Sequence, residues 1–351
     1  MKSKNYLHSV FNGMMGLFLS MIAGQALAME ALPALPPVPA DNPLSAAKIE
    51  LGRMLYFDPR LSVDGSVSCN SCHNVMTSGT DNRPVSVGVK GQHGGRSAPT
   101  VFNAAYLTAQ FWDGRAATLE DQAKGPVLNP VEMGMPSAQA VEQRLRRIPG
   151  YVDRFAEVFG GGDALSFDHV VKAIASYERT LVTPNSPFDR YMRGDKTALS
   201  EQALRGMKLV EQTGCTACHN GPNFAGPVAL PMGQPFLQKF PTYTNNAYVK
   251  QYHLDKDSGR YTVTHKEEDR HMWRVATWRN VALTAPYFHN GAVKTLDEAV
   301  RVMAKTQLNK DLSEQVVAEI VAFLSSLAGE IPPQTLPALP QTATMSVVGD
   351  Q

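Results

Sequence analysis

Leu61 to Met76 reads LSVDGSVSCNSCHNVM, and within it Cys69-Asn70-Ser71-Cys72-His73 decides what kind of chain this is. A second copy of the pattern, Cys215-Thr216-Ala217-Cys218-His219, lies 146 residues downstream. C-x-x-C-H is the attachment signature of a c-type haem. On one helical turn the two thiols reach the two vinyl groups of the porphyrin. The next residue, His, then falls beneath the ring and binds the iron from its proximal side. The two motifs use all four cysteines of the chain. Zinc is the first alternative, but paired C-x-x-C zinc sites usually lie about 15–20 residues apart. A thioredoxin-like site needs one C-x-x-C in a βαβ setting, which neither pair has. The expectation is therefore two haem c groups, bound covalently through Cys69, Cys72, Cys215 and Cys218, with His73 and His219 as axial ligands.

The first 28 of the 351 residues read as a leader. Lys2 and Lys4 give a basic start, Gly13 to Ala23 (GMMGLFLSMIA) is apolar, and Ala26-Leu27-Ala28 is a small-x-small cleavage site. The apolar run is shorter than the ~20 residues that a spanning helix needs, so export and cleavage are expected rather than anchoring. The compartment is then extracytoplasmic, and the expected location is a bacterial periplasm. Removing two lysines and no acids takes the formal charge from +1 to −1. Nothing in that balance points to nucleic acid.

Periodicity predicts a mainly α chain. Ala31 to Pro43 (ALPALPPVPADNP) is a Pro-rich lead-in expected to lie extended on the surface. Ser45–Phe57 has helical spacing and Pro59 stops it, giving a helix just ahead of the first haem motif. Gly79 to Gly95 is a Gly-rich loop. Helices are predicted over 137–148, 151–159 and 166–181, with Ser166 as an N-cap. Thr183-Pro184-Asn185-Ser186-Pro187 breaks the pattern. From Ser200 the order of helix, turn and haem motif repeats. Thr295-x-x-Glu298 reads as a capping box that opens a helix through Met303, and Ser313–Leu327 as an amphipathic last helix. The expected units are residues 29–44 as the lead-in and 45–185 and 186–330 as two cytochrome c-like domains. Residues 331–351 are expected to be a loose tail.

An internal repeat tells the halves apart. At an offset of 177, Asn103 to Gly114 (NAAYLTAQFWDG) overlays Asn280 to Gly291 (NVALTAPYFHNG), and Thr118-Leu119-Glu120-Asp121 falls on Thr295-Leu296-Asp297-Glu298. Met303 then lies where a cytochrome c supplies its second ligand, while its counterpart is Pro126, which has no ligand atom. Most of the fifteen methionines are core filler; the repeat singles out Met303. The second haem is expected to be His219/Met303, with a raised potential suited to electron transfer. The first keeps His73 and has an open face.

An open haem becomes a peroxidase only with a group that takes a proton from one peroxide oxygen and gives it to the other. Glu132, in the expected loop Gly125-Pro126-Val127-Leu128-Asn129-Pro130-Val131-Glu132 held by two prolines, is the candidate, and Gln122 is a hydrogen-bond partner for peroxide. Trp112, where the other half has His289, is a candidate electron relay. A solvated surface carboxylate and a core aromatic are the ordinary readings of Glu132 and Trp112.

These segments resemble one family. The set GRMLYFDPRLS, SCNSCHN, SGTDN, APTVFNA, AQFWDGRA, QAKGPVLNPVEM, GCTACHNGPNF, WRNVALTAPYFHNGAV and VVAEIVAFLSSLAG, spread over about residues 45 to 330, is similar to the bacterial dihaem cytochrome c peroxidases. The resemblance implies a periplasmic, calcium-dependent homodimer that reduces hydrogen peroxide to water. It implies electrons from a small cytochrome c or cupredoxin, passed from the C-terminal haem to the N-terminal one. By position it supports Glu132 and Gln122 at the peroxide, Trp112 between the haems and Met303 on the electron-accepting iron. Related oxidases that mature a tryptophan-derived quinone carry a tyrosine at the Met303 position. Calcium would fall to Ser97, Thr284 and Pro286, largely through carbonyl oxygens; the first is usually Asn. Many members carry a ligating His in the loop after the first haem, and here Val89 takes its place. Either His93, four residues on, caps the first iron, or that lock is missing and the enzyme needs no prior reduction. The competing class is a dihaem electron carrier without peroxidase activity. His253, His265, His271 and His289 have no expected role.

Overall fold

The computed structural model describes residues 29–227, 230–342 and 346–348. The expected leader lies outside them, and no helix among the described residues is long and apolar enough to cross a membrane. In the first half the helices are α1 (Ala46–Phe57), α2 (Cys69–Cys72), α3 (Leu119–Leu128), α4 (Ala138–Arg146), α5 (Pro149–Phe159) and α6 (Phe167–Glu178). In the second they are α7 (Pro187–Met192), α8 (Glu201–Gln212), α9 (Ala247–Gln251), α10 (Tyr261–Thr264), α11 (Leu296–Leu308) and α12 (Glu314–Ser325). One antiparallel pair, β1 (Leu237–Lys239) with β2 (Met272–Arg274), is the sheet of the described residues. The chain is mainly α.

The expected helices form, and local chemistry starts them. Ser45, Ser137, Ser166, Ser200 and Ser313 each accept a backbone N–H from the first turn of their helix, satisfying one of the donors a helix start leaves open. Thr295 does not, and α5 starts on Ile148 and Pro149 without such a bond. Thr295 makes no side-chain cap bond at α11, and Glu298 instead accepts the Tyr252 hydroxyl at 2.7 Å. The predicted capping box is therefore not formed, and the helix runs beyond Met303 to Leu308.

Each half is built on one close helix crossing. α1 packs on α6 and α8 on α12. A Cβ on Gly52 would lie 1.9 Å from the Ala173 carbonyl oxygen, and one on Gly206 the same distance from that of Glu319. Only glycine lets the backbones approach so closely. Leu51, Leu55, Val170 and Ile174 are buried around the first crossing and Val210, Ile320 and Phe323 around the second, each contributing about 1.5–3 kcal/mol by leaving water.

The internal repeat is a repeat of backbone shape. Asn103 (φ 61°) and Asn280 (φ 60°) both take the left-handed conformation before a short 3-10 turn. Phe111 (φ 67°) and Phe288 (φ 69°) do so again eight residues later. Bridges Gln110↔Ala116 and Tyr287↔Val293 close the two corners at the same offset. Both asparagine amides donate to one hydroxyl, that of Thr183, at 2.7 and 2.9 Å.

The termini are tied down more firmly than expected. The lead-in, Ala31 to Pro43, is largely exposed and irregular, as expected, but its start is anchored. Met29 is buried in the core of the second half, Leu32 is buried with its N–H donating to Asp189, and Arg279 donates to the Glu30 carbonyl. The described residues of the tail, 331–342 and 346–348, are held where a loose tail was expected. Arg53 and Arg60 hold Thr335 and Pro340, Tyr177 donates to Gln334, and Val347 is buried in the core of the first half. Each terminus crosses to the other half because its apolar residues find a core there.

Candidate active site

A cavity of about 420 Å³ lies against the first C-x-x-C-H motif, lined by Cys72, His73, Gln122, Pro126 and Glu132. Cys69 lines a smaller one beside it. His73 is held through Nδ1, 2.9 Å from the Pro99 carbonyl. That contact fixes the proton on Nδ1 and leaves the lone pair on Nε2. Burial lowers the ring's pKa, the Pro99 bond opposing it, so the imidazole is neutral, as a metal ligand must be. Cys69 and Cys72 are free thiols, and burial pushes both up, keeping them unreactive. A neutral imidazole, two free thiols on the preceding turn and a cavity beside them fit a covalently attached haem.

The three catalytic candidates, Trp112, Gln122 and Glu132, all line this space. α3 carries Gln122 and Pro126 into the wall. Gly125–Leu128, expected as loop, is the last turn of α3, after which Met133 N–H returns to the Pro126 carbonyl and Gly134 N–H to that of Asn129. This tight return points Glu132 back toward His73. Its Oε1 accepts the Asn129 amide at 2.7 Å. Burial raises its pKa, with Arg115 and the Asn129 bond opposing. Glu178 was not anticipated. It lines both cavities, one carboxyl oxygen has no hydrogen-bond partner, and burial raises its pKa to about 8. The spacing Val171, Ile174, Glu178 puts it on the buried stripe of α6, which was the available signal.

At the junction of the halves, Trp112 Nε1 donates to the Ser97 carbonyl at 2.8 Å, and Ser97 N–H donates to the His289 carbonyl at 2.8 Å. Thr284 Oγ1 donates to Val281. On either side of Thr284 the carbonyls of Leu283 and Ala285 accept the Asn82 amide at 2.9 and 2.8 Å. That loop, which includes Pro286, is thus pinned to the first half, and Asn82 is the pin that sequence reasoning missed. His289 is buried, stacked on Trp273 with centroids 4.2 Å apart, and burial lowers its pKa to about 4. Val89 is buried, its N–H bonded to the Glu132 carbonyl. His93 is exposed, in a hairpin closed by Gly88 N–H to Gln92 and Gly94 N–H to Ser86. It is not among the residues lining the cavity.

The second motif is built alike. Cys215 and Cys218 are free thiols. His219 Nδ1 lies 3.2 Å from the Phe224 carbonyl, and the ring stacks on Trp278 at 4.4 Å. Burial takes its pKa to about 4. Met303 is half-buried on α11. Val281 and Leu296 pack both on the cluster holding Cys215 and Trp278 and on the one holding Met303. These residues too fit a covalent haem.

Comparison with known proteins agrees. The family profile described as di-haem cytochrome c peroxidase matches residues 46–197. Cytochrome c551 peroxidase of Pseudomonas aeruginosa is 50% identical over 300 residues, 85% of this chain and 84% of that one. The protein of the same name from Nitrosomonas europaea is 43% identical, covering 93% of each. Among solved structures, a MauG-like protein associated with microbial copper homeostasis is similar at a TM-score of 0.74 and 29% identity, covering 85% of this chain and 95% of that one. The chain belongs to the di-haem cytochrome c peroxidase family.

Proposed function

We propose that this protein is a periplasmic peroxidase that reduces hydrogen peroxide to water, consuming two electrons and two protons for each peroxide and yielding two waters. The observation that carries it is the convergence of Glu132 and Gln122 on the cavity beside His73, where the repeat replaces Met303 by Pro126. The chain's likeness to two cytochrome c551 peroxidases supports it. When bound, the two haem c groups supply the iron that takes peroxide and the electrons that reduce it.

The chain's own residues do the rest. Cys69 and Cys72 anchor one haem and His73 ligates it. Cys215 and Cys218 anchor the other, with His219 and Met303 as ligands. Gln122 orients peroxide by hydrogen bonding. Glu132 accepts the proton of the oxygen nearer the iron and returns it to the departing one. Since burial raises the Glu132 pKa and the carboxylate is the active form, the acid limb of kcat/KM should fall above the pH where an ordinary glutamate titrates. Trp112, between the halves, relays electrons from the second site to the first. The donor is a small cytochrome c or cupredoxin, and the working unit is a homodimer of two-domain chains divided at 45–185 and 186–330.

Calcium would be held by the carbonyl oxygens of Ser97, Thr284 and Pro286, the hard donors that this ion takes. No group of three His, Cys, Asp or Glu side chains stands ready for a metal among the described residues, so the site would hold calcium with little negative charge. Val89 in the usual ligand position, with His93 held in its hairpin, makes the oxidised enzyme competent without prior reduction. Electron paramagnetic resonance of the oxidised, calcium-loaded protein tests this. The expected result is a high-spin ferric signal that one equivalent of peroxide abolishes. Two low-spin signals that peroxide leaves unchanged, even after one-electron reduction, would overturn the peroxidase reading.

A further inference from the structure

Where the halves meet, four guanidinium groups face three carboxylates. Arg96 pairs with Asp113 at 2.6 Å and Asp257 at 2.7 Å, Arg115 shares Asp113 at 2.9 Å, and Arg260 reaches Asp269 at 3.6 Å. Arg274 has no carboxylate partner among the described residues. Its Nε donates to the Phe111 carbonyl at 3.0 Å and its Nη1 to the Val275 carbonyl at 2.9 Å, both neutral acceptors. Yet the side chain is only 5% exposed and lines the same cavity as His73, Ser97 and Trp112.

Such a group is costly. A buried ion without a counter-charge loses several kcal/mol of hydration that neutral carbonyls only partly replace. Burial lowers its pKa to about 10, with Asp113 opposing through space, so it stays charged near neutrality. Its position is also fixed. Arg274 ends β2 in register with Leu237, and its N–H donates to the Trp112 carbonyl at 2.8 Å. A preset cation in a cavity wall is a site for an anion, and its planar fork suits a carboxylate.

We propose that Arg274 is the counter-charge of a haem propionate, binding from the second half a carboxylate of the haem attached at Cys69 and Cys72. This rests on the haem reading above. Porphyrin propionates lie on the edge away from the vinyls, and the cavity that begins at Cys72 is bounded by Arg274. Arg274 is a positioning residue. It fixes the haem edge beside Trp112 and holds positive charge there, favouring the reduced state.

The test uses the two-haem protein, with Arg274→Gln and Arg274→Lys. Haem content by pyridine haemochrome comes first: a wild-type protein without covalent haem would sink the underlying reading, separately from this one. Resonance Raman propionate-bending bands and spectroelectrochemical midpoints then read the site. Arg274→Gln should shift the bending band of the first haem and lower its reduction constant about tenfold, 59 mV for a one-electron couple, leaving the second haem unchanged. Arg274→Lys should recover the potential more than the band. Wild-type band and potential in Arg274→Gln would overturn the proposal. So would bands that follow chloride concentration, which would assign the guanidinium to a solvent anion. Should Arg274→Gln fail to load haem, the wild type still decides. Its band should stay fixed from pH 5 to 8, although Glu132, Asp113, Asp257, Arg96, Arg115 and His289 also face this region. A propionate that protonates in that window is not held by a guanidinium.

Discussion

Residues 103–128 and 280–305 trace the same path, yet they finish differently. The first ends α3 at Leu128, and its chain folds Glu132 back beside His73. The second runs on past Met303 to Leu308. The cause is local. Pro126 withdraws a backbone donor from α3, and Pro130 bars its continuation, whereas α11 has no proline. One duplicated scaffold thus offers a thioether in one copy and a carboxylate in the other. On the proposed reading, two prolines separate an electron-transfer site from a catalytic one.

Five substitutions break or sharpen this contrast. Glu132→Gln should lower kcat/KM for peroxide by about 10²–10⁴-fold while both haem spectra stay as in the wild type; a loss under threefold would remove Glu132 from the chemistry. Exchanging the ligand positions should exchange the characters. Met303→Leu should lower the second haem's potential by on the order of a tenth of a volt or more, within the ~0.8 V that axial ligands span. Pro126→Met should turn the first iron low-spin and stop its reaction with peroxide. If Pro126→Met leaves the high-spin signal intact, the repeat does not govern ligation.

Glu178 gives a pH signature. Its folded-state pKa, about 8, lies above the ordinary glutamate value, so the folded state holds its proton more tightly than the unfolded chain. Stability from this group is complete below the ordinary value and is lost as pH rises toward 8. Glu178→Gln should flatten that loss, raising Tm by roughly 2–4 °C at pH 8 and little at pH 5, by calorimetry. An unchanged pH profile would place the carboxyl in contact with water. Trp112→Phe should have the smallest effect on the fold, about 1 kcal/mol for the lost bond to Ser97, and should slow electron transfer between haems in stopped-flow mixing without changing either potential.

Much of this was legible before any coordinates. The haem motifs, capping serines and offset of 177 are local or periodic signals, and so were Gln122, Glu132 and Met303 as candidates. What stayed hidden depends on contacts across the chain. Glu178 and Arg179 are adjacent charges on one helix, and only packing shows that Arg179 finds Glu120 at 2.6 Å while Glu178 is left with a bare oxygen. Arg274 reads as one arginine among many until its neighbours are counted. Asn82 gains meaning from carbonyls 201 and 203 residues away. The Thr295 box failed because Tyr252 competes for Glu298, a partner that no local pattern contains.

The crossed termini carry a consequence for how the molecule comes apart and together. Glu30 meets Arg279 and Pro340 meets Arg60 across 249 and 280 residues of chain. Loops of this length are expensive to close, and contacts of such separation slow folding. Each half borrows core residues from the opposite end of the polypeptide, so neither is finished until both ends are in place. The second half is completed by Met29 and the first by Val347, so melting should appear as one cooperative event.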